Sequence, residues 1–151
     1  MSRDFINDID AGRQLAQVID GHFDVVVAVL PTSRNIANEV ALALNLPQAG
    51  VIRVMTGSEE EPVRIELALG DVEKSARLLI VDDAVETGRT SVEISRALKS
   101  AGYGNLTLAV PVCPRDSEYL VKDHFDGIIA VVRPLMRRAL SWHYDEVPGS
   151  D

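Results

Sequence analysis

Short runs of aliphatic, mostly β-branched residues recur along the chain and restrict the folds that it can adopt. They lie within residues 23–31, 49–55, 76–83, 105–112 and 126–132. Continuous apolar runs of this length are typical of strands buried on both faces, as in parallel sheets. Segment 63–69 differs, because its apolar residues alternate with other residues, and this pattern predicts a half-exposed strand.

Helical patterns fill the intervals between these runs, over residues 8–21, 33–47, 88–104 and 116–125. In the first of them Ile9, Leu15 and Val18 have helical spacing, so we expect them to form its buried face. Strands that alternate with helices predict an α/β fold with an open, mostly parallel sheet flanked by helices. No repeat or linker divides the chain, and we expect a single domain over residues 1–151.

The charge of the chain restricts its partners. A formal net charge of -8 argues against a broad nucleic-acid-binding surface, but not against a small anionic ligand. The longest apolar stretch, Val25–Leu30, is far shorter than the roughly 20 residues that cross a bilayer. The first ten residues lack the basic start and apolar core of a signal peptide, and Cys113 is the single cysteine. We therefore expect a cytoplasmic protein with neither a membrane nor a nucleic acid as partner.

The sequence LLIVDDAVETGRT, residues 78–90, carries the clearest functional signal. Asp82 and Asp83 stand side by side directly after a strand, although adjacent carboxylates repel each other and are costly to bury. Thr87, Gly88 and Thr90 then lead into a helix, whose first amides and nearby hydroxyls can cradle a phosphate. In such sheets ligands bind at the carboxyl ends of strands, so this combination suits a sugar phosphate.

This stretch resembles the phosphoribosyl-pyrophosphate (PRPP) signature of type I phosphoribosyltransferases. It matches at every position: an aliphatic strand, two acidic residues, two small or apolar residues, a variable residue and Thr-Gly-x-Thr. The resemblance implies that Asp82 and Asp83 hold the ribose 2′- and 3′-hydroxyls. It implies that the 5′-phosphate is held by Glu86, Thr87, Gly88, Arg89 and Thr90. Mg²⁺ would arrive with the pyrophosphate of PRPP, near the aspartates but without a direct protein ligand.

Three other segments, 5–19, 109–134 and 139–146, are similar to a group of bacterial predicted phosphoribosyltransferases. This similarity implies the type I phosphoribosyltransferase fold with a small C-terminal hood element. Response-regulator receiver domains also place two aspartates after a strand. Their phosphoacceptor position would fall near Val131, in an apolar stretch, and this argues against a receiver domain.

The loop after the first long strand departs from the family pattern. Family members usually carry Pro-Arg-Gly-Gly there and bind pyrophosphate with its backbone, whereas this chain has Pro31, Thr32, Ser33 and Arg34. The hydroxyls of Thr32 and Ser33 and the Arg34 guanidinium offer donors for phosphate oxygens, and Arg34 would act as a catalytic residue on the leaving pyrophosphate. The alternative interpretation is a helix entry, in which Ser33 is the cap and Arg34 is solvated.

The second departure is the loop MTGSEEEP, residues 55–62. In the family this loop is usually longer and often basic, whereas here Glu59, Glu60 and Glu61 would repel pyrophosphate unless they point away from it. A solvated acidic turn is the preferred interpretation of the glutamates. Arg53, a nearby cation, is a further candidate ligand of pyrophosphate.

The acceptor base is indicated by fewer residues. Glu86 stands where family members that act on 6-oxopurines carry an acidic residue near the purine N7, which implies a general base. The alternative is a solvated loop carboxylate. Trp142 and Tyr144 are candidates for stacking on the base, the alternative being that they cover an edge of the core.

We therefore expect an enzyme that transfers 5-phosphoribose from PRPP to a nitrogenous base, with pyrophosphate release. Glu86 alone favours a purine-like base and a role in purine salvage. The alternative is a non-catalytic regulator of the same fold that binds PRPP or a nucleotide. A homodimer is compatible with the sequence.

Overall fold

The computed structural model of the protein describes residues 3–55 and 62–146, and a six-stranded sheet forms its centre. The strands are β1 (Val25–Leu30), β2 (Gln48–Met55), β3 (Arg64–Ala68), β4 (Arg77–Val81), β5 (Asn105–Val112) and β6 (Gly127–Val132). Their order across the sheet is β3-β2-β1-β4-β5-β6, and every neighbouring pair is parallel except β2 with β3. This arrangement confirms the predicted open, mostly parallel sheet.

Helices cover both faces of the sheet. They are α1 (Asp8–Val18), α2 (Arg34–Leu44), α3 (Arg89–Ser100) and α4 (Arg115–Val121), with short 3₁₀ helices at Lys122–His124 and Leu140–His143. Apolar residues of α1 and α2 join the core on one face, and those of α3 and α4 join the core on the other. In the described parts of the chain no helix is long and apolar enough to cross a membrane.

β1 and β4 form the middle of the sheet. All six residues of β1 are buried, because alternate side chains enter the two opposite cores. β4 pairs with β1 in parallel, from Val25 beside Leu78 to Ala28 beside Val81. The chain runs outward from β1 to β2 and β3 and then returns to β4 on the other side of β1. The strand order therefore reverses between β1 and β4, which is where ligands bind in open α/β sheets.

The buried face of α1 differs from the predicted one. Leu15 is buried as expected, but Ile9 and Val18 are 42% and 47% exposed. The small residues Ala11 and Gly12 are buried in their place. Close packing against α2 decides this orientation, because large side chains would hold the two helices apart.

The two ends of the described chain pack together as a small terminal element. The backbone N–H of Phe5 donates to the carbonyl of His143 (2.9 Å), and the rings of Phe5 and Tyr144 lie 5.2 Å apart. The buried imidazole of His143 lies with Nδ1 2.7 Å from a carboxylate oxygen of Asp4. Phe5 and Tyr144 share an apolar cluster with Val112, the last residue of β5. It includes the C-terminal region for which the sequence predicts a hood element.

The contact at Gly12 gives the first testable prediction. A Cβ atom at this position would lie 2.7 Å from Cβ of Glu39 and 2.9 Å from the carbonyl oxygen of Ile36. We expect Gly12→Ala to lower the free energy of unfolding by about 1–3 kcal/mol, because α1 must move away from α2. Denaturant unfolding measures the change. Gly104→Ala is the matched control, because nothing lies within 4 Å of its added Cβ. An equal stability of the two variants would contradict the prediction.

Candidate active site

A cavity of about 380 Å³ opens at the carboxyl ends of β1 and β4. Its wall combines the end of β1, the loop between β4 and α3, and the first turn of α3. The lining residues are Val29, Leu30, Pro31, Thr32, Val54, Asp82, Asp83, Ala84, Glu86, Thr87, Gly88, Thr90 and Ser91. The structure thus brings together many of the residues that the sequence predicted for the site, and these are Thr32, Asp82, Asp83, Glu86, Thr87, Gly88 and Thr90.

Asp82 is the most deeply buried carboxylate of the cavity, with 6% of the residue exposed. Its Oδ1 atom accepts hydrogen bonds from the Ser33 hydroxyl (3.0 Å) and from the backbone N–H of Asp83 (2.8 Å). Burial, together with the neighbouring charge of Asp83, raises the pKa of Asp82 well above its ordinary value. The hydrogen bonds to Oδ1 offset part of this increase, because they stabilise the charged form.

Ser33 stands immediately before α2, where it was a candidate for the helix cap. It occupies the N-cap position and Arg34 is exposed, as in the alternative interpretation, but the Ser33 side chain makes no capping hydrogen bond. The residue is fully buried, and its hydroxyl donates to Asp82, 49 positions later in the sequence. Ser33 therefore lies behind the cavity wall, whereas Thr32 lies in it. In the same loop, the peptide bond between Leu30 and Pro31, just before Thr32, is cis.

The loop between β4 and α3 is held from behind by α4. The hydroxyl of Ser117 donates a hydrogen bond to the backbone carbonyl of Glu86. Gly88 has a φ of 93°, a conformation that favours glycine. A Cβ atom on Gly88 would lie 2.6 Å from Cγ2 of Val121, so a side chain at this position would also press against α4. These contacts determine the path of the loop, and Ser117 had no signal in the sequence that could have identified it.

The first turn of α3 faces the same cavity. The helix begins at Arg89, and the hydroxyl residues Thr90 and Ser91 line the wall. The first amides of a helix have no partner within the helix, and they favour an anion. The start of α3 and the loop for which the sequence predicts a phosphate cradle therefore line the cavity, with the exposed Glu86 beside them.

The predicted cationic ligands lie outside the wall of this cavity. Arg34 is exposed at the start of α2, and Arg53 is an exposed residue of β2 whose Nε lies 3.8 Å from a carboxylate oxygen of Glu66. Arg89 lines a second cavity of about 490 Å³ on the other side of the loop, which it shares with Val63. The described wall consequently carries three carboxylates and no lysine or arginine.

Trp142 and Tyr144 also lie outside the described wall. Tyr144 is 4% exposed and packs against Phe5, and burial raises the pKa of its hydroxyl. Tyr144 thus covers an edge of the core, as in the alternative interpretation. Trp142 lies between two guanidinium groups, with Arg3 at 4.9 Å and Arg138 at 4.4 Å from its ring. These contacts stabilise the indole in the terminal element.

Two further points concern a metal site and the acidic loop. Within residues 3–55 and 62–146, no group of three or more His, Cys, Asp or Glu side chains is arranged to hold a metal ion. The predicted acidic turn, Glu59 to Glu61, lies outside the described residues.

The burial of Asp82 gives a prediction on stability. Its pKa is higher in the folded chain than in the unfolded chain, so stability decreases as pH rises from about 4, the ordinary carboxyl value, through the raised pKa. Asp82→Asn removes the charge and retains an oxygen for both hydrogen bonds. We expect the variant to melt at a higher temperature than the wild type near about pH 8, and the difference to shrink towards about pH 4.

Thermal unfolding across this pH range measures the effect. Asp71→Asn, which removes an exposed carboxylate, is the matched control, and its difference from the wild type should stay small throughout. A difference between Asp82→Asn and the wild type that does not vary with pH would contradict the prediction.

The fold resembles solved structures over most of its length. TT1426 from Thermus thermophilus superposes with a TM-score of 0.73 at 18% identity, covering 97% of this chain and 91% of the other. The purine phosphoribosyltransferase from Pyrococcus horikoshii superposes with a TM-score of 0.66 at 21% identity, covering 86% and 87%. At these identities the similarity concerns the fold.

The sequence comparisons agree with the predicted family. A hypoxanthine/guanine phosphoribosyltransferase from Methanococcus voltae is 28% identical over 129 residues, which are 79% of this chain and 69% of the relative. A ribose-phosphate pyrophosphokinase from Methanopyrus kandleri is 34% identical over 101 residues, which are 66% of this chain but 33% of the relative. The profile of the phosphoribosyl transferase domain matches residues 5–135. The chain therefore belongs to the phosphoribosyl transferase domain family.

Proposed function

We propose that this protein transfers the 5-phosphoribosyl group of PRPP to a purine base and releases pyrophosphate. The observation that carries the proposal is the cavity at the reversal of strand order. Its wall joins the carboxylates of Asp82 and Asp83 to the phosphate-cradle loop at the start of α3. This combination, in a member of the phosphoribosyl transferase domain family, suits a ribose phosphate better than other ligands.

The 5′-phosphate would bind at the loop from Glu86 to Thr90. The amides at the start of α3 and the hydroxyls of Thr87 and Thr90 provide donors, and the partial positive charge of the helix N-terminus favours the anion. Gly88 allows the loop its positive φ and its close approach to Val121, and thereby places the amides around it. Arg89 lines the second cavity, so its guanidinium would have to turn to reach the phosphate.

Pyrophosphate binding would rely on Thr32 and on a cation that arrives with the substrate. A wall of carboxylates and hydroxyls without a described lysine or arginine fits Mg²⁺, because this ion prefers oxygen ligands and usually keeps substrate oxygens and waters. When bound, Mg²⁺ would neutralise charge on the leaving pyrophosphate. Asp82 and Asp83, which line the wall, would favour it by their charge. The predicted roles of Arg34 and Arg53 require their exposed side chains to turn towards the bound substrate.

The transfer itself requires the bond between C1′ and pyrophosphate to break while the base approaches. The site would contribute by holding ribose and phosphate in position and by stabilising charge that develops at the leaving group. Glu86, which lines the cavity wall and is exposed, would accept the proton released by the base. A purine is favoured by this glutamate and by the similarity to a hypoxanthine/guanine phosphoribosyltransferase.

A regulator that binds PRPP or a nucleotide without turnover is the second candidate. The absence of a cation from the described wall favours it, because family members usually place basic residues near pyrophosphate.

For either function we propose that residues 1–151 act as one domain in the cytoplasm, with small molecules as ligands. A homodimer is compatible with both functions.

Pyrophosphate release from PRPP and Mg²⁺ tests the proposal, with purines, pyrimidines and small aromatic bases as acceptors. We expect release that requires a purine. The double variant Asp82→Asn/Asp83→Asn should reduce the rate about 100-fold or more, since hydrogen bonds to charged groups contribute about 1.5–3 kcal/mol each. No release with any base would overturn the transferase. The regulator would then be supported if PRPP raised the melting temperature of the wild type and not that of the double variant.

Gly88 gives a separate prediction for the phosphate loop. We expect Gly88→Ala to weaken ribose 5-phosphate binding about tenfold or more, because the added methyl group meets Val121 and displaces the loop. Isothermal titration measures the affinity. Gly70→Ala is the matched control, because Gly70 also has a positive φ of 56° but nothing lies within 4 Å of its added Cβ. Equal binding by the two variants would argue against this position for the phosphate.

A further inference from the structure

The loop between β4 and α3 leaves the sheet at Glu86. Just before this point, the backbone N–H of Val85 still donates to the carbonyl of Val112, the last residue of β5 (3.0 Å). In the described part of the chain, no hydrogen bond then joins residues 86–88 to the sheet before α3 begins at Arg89. The conformation of this short interval therefore depends on contacts with other elements.

Helix α4 supplies these contacts from the side of the loop that is turned away from the cavity. The buried hydroxyl of Ser117 donates a hydrogen bond to the backbone carbonyl of Glu86. One turn further along α4, Val121 lies so close to Gly88 that an added Cβ atom would stand 2.6 Å from its Cγ2. The loop is therefore held against α4 at two nearby points, first by a hydrogen bond and then by packing.

The hydrogen bond from Ser117 also determines the direction of the next backbone N–H. The peptide bond between Glu86 and Thr87 is trans. A trans peptide group is planar, and its C=O and N–H bonds point in opposite directions. Because the carbonyl of Glu86 is directed at α4, the N–H of Thr87 is directed away from α4.

The direction away from α4 is the direction of the cavity. Glu86 and Thr87 line its described wall and no residue of α4 does, whereas Leu120 of α4 lines the second cavity on the other side of the loop. Within residues 3–55 and 62–146, no acceptor pairs with the backbone N–H of Thr87. This N–H is consequently a donor that an anion in the cavity can use.

We propose that Ser117 is a positioning residue for the phosphate site. It holds the carbonyl of Glu86 against α4 and thereby keeps the N–H of Thr87 directed at the 5′-phosphate of the ligand. Without the hydroxyl, this peptide group can rotate and present its negatively polarised carbonyl oxygen to the phosphate, which would repel it. The proposal rests on the proposed function, because that function places a phosphate at residues 86–90.

An NMR titration with ribose 5-phosphate tests the proposal. In the wild type, the amide proton of Thr87 should shift downfield as the ligand binds, because it donates to a charged oxygen. Ser117→Ala should bind ribose 5-phosphate about tenfold more weakly and should lose this shift. Ser117→Cys retains a weaker donor of similar size, so its affinity should fall by about threefold.

Ser95→Ala is the matched control for the loss of a buried serine hydroxyl. Ser95 lies on α3, and its hydroxyl also donates to a backbone carbonyl, that of His124 (2.6 Å). This bond is outside the described wall of the cavity. The control variant should therefore keep both the wild-type affinity for ribose 5-phosphate and the shift of the Thr87 amide proton.

Three results would overturn the proposal. The first is a Thr87 amide that does not respond when the wild type binds ribose 5-phosphate. The second is wild-type affinity in folded Ser117→Ala, and the third is an equal loss of affinity in Ser95→Ala. If Ser117→Ala does not fold, Ser117→Cys decides, since wild-type affinity with an unchanged Thr87 shift would contradict the role of the hydroxyl.

Failure of the proposed function is seen separately. A folded wild type that binds no ribose 5-phosphate and releases no pyrophosphate from PRPP overturns both proposals. Binding with the expected Thr87 shift and its loss in Ser117→Ala, but without turnover of PRPP, supports the role of Ser117 and overturns the transferase alone.

Discussion

Parallel pairing of β1 with β4 is the interaction on which the cavity depends. Their apolar side chains alternate between two cores, and this double burial holds both strands in the middle of the sheet. Because the strands are parallel and adjacent, the loops that follow them meet at one edge. The contact between Ser33 and Asp82 exists only through this pairing, since 49 positions separate the two residues in sequence.

The carboxylates of the cavity lower the stability of the folded chain and are also the groups proposed to bind the ligand. A buried carboxylate beside a second carboxylate destabilises the folded chain at neutral pH, and the bonds from Ser33 and Asp83 offset only part of this cost. In the proposed function, the hydroxyls of the ligand and Mg²⁺ would complete the electrostatic balance of this wall. The buried charge that lowers the stability of the folded chain is thus the same charge that the proposed ligand would contact.

Sequence reasoning succeeded where the signal is local. The strands, the helices and the place of the loop of residues 86–90 at the cavity follow from short apolar runs, helical spacing and a recognisable motif. Sequence reasoning failed where the direction of a side chain depends on packing against residues that are distant in sequence. Val18 has the spacing of a buried residue but is exposed, because α1 approaches α2 through Gly12. Arg89 belongs to the motif by position but lies towards the second cavity.

The sequence by itself determined the fold class, the family and the stretch that carries the aspartate pair and the Thr-Gly-x-Thr loop, because these depend on residue type and spacing along the chain. Only the tertiary structure decided that Ser33 holds Asp82, that Tyr144 is buried and that the described wall lacks a cation. Such features depend on neighbours that are distant in sequence. Their physical reason is the packing of strands and helices, which selects one direction for each side chain among those its local backbone allows.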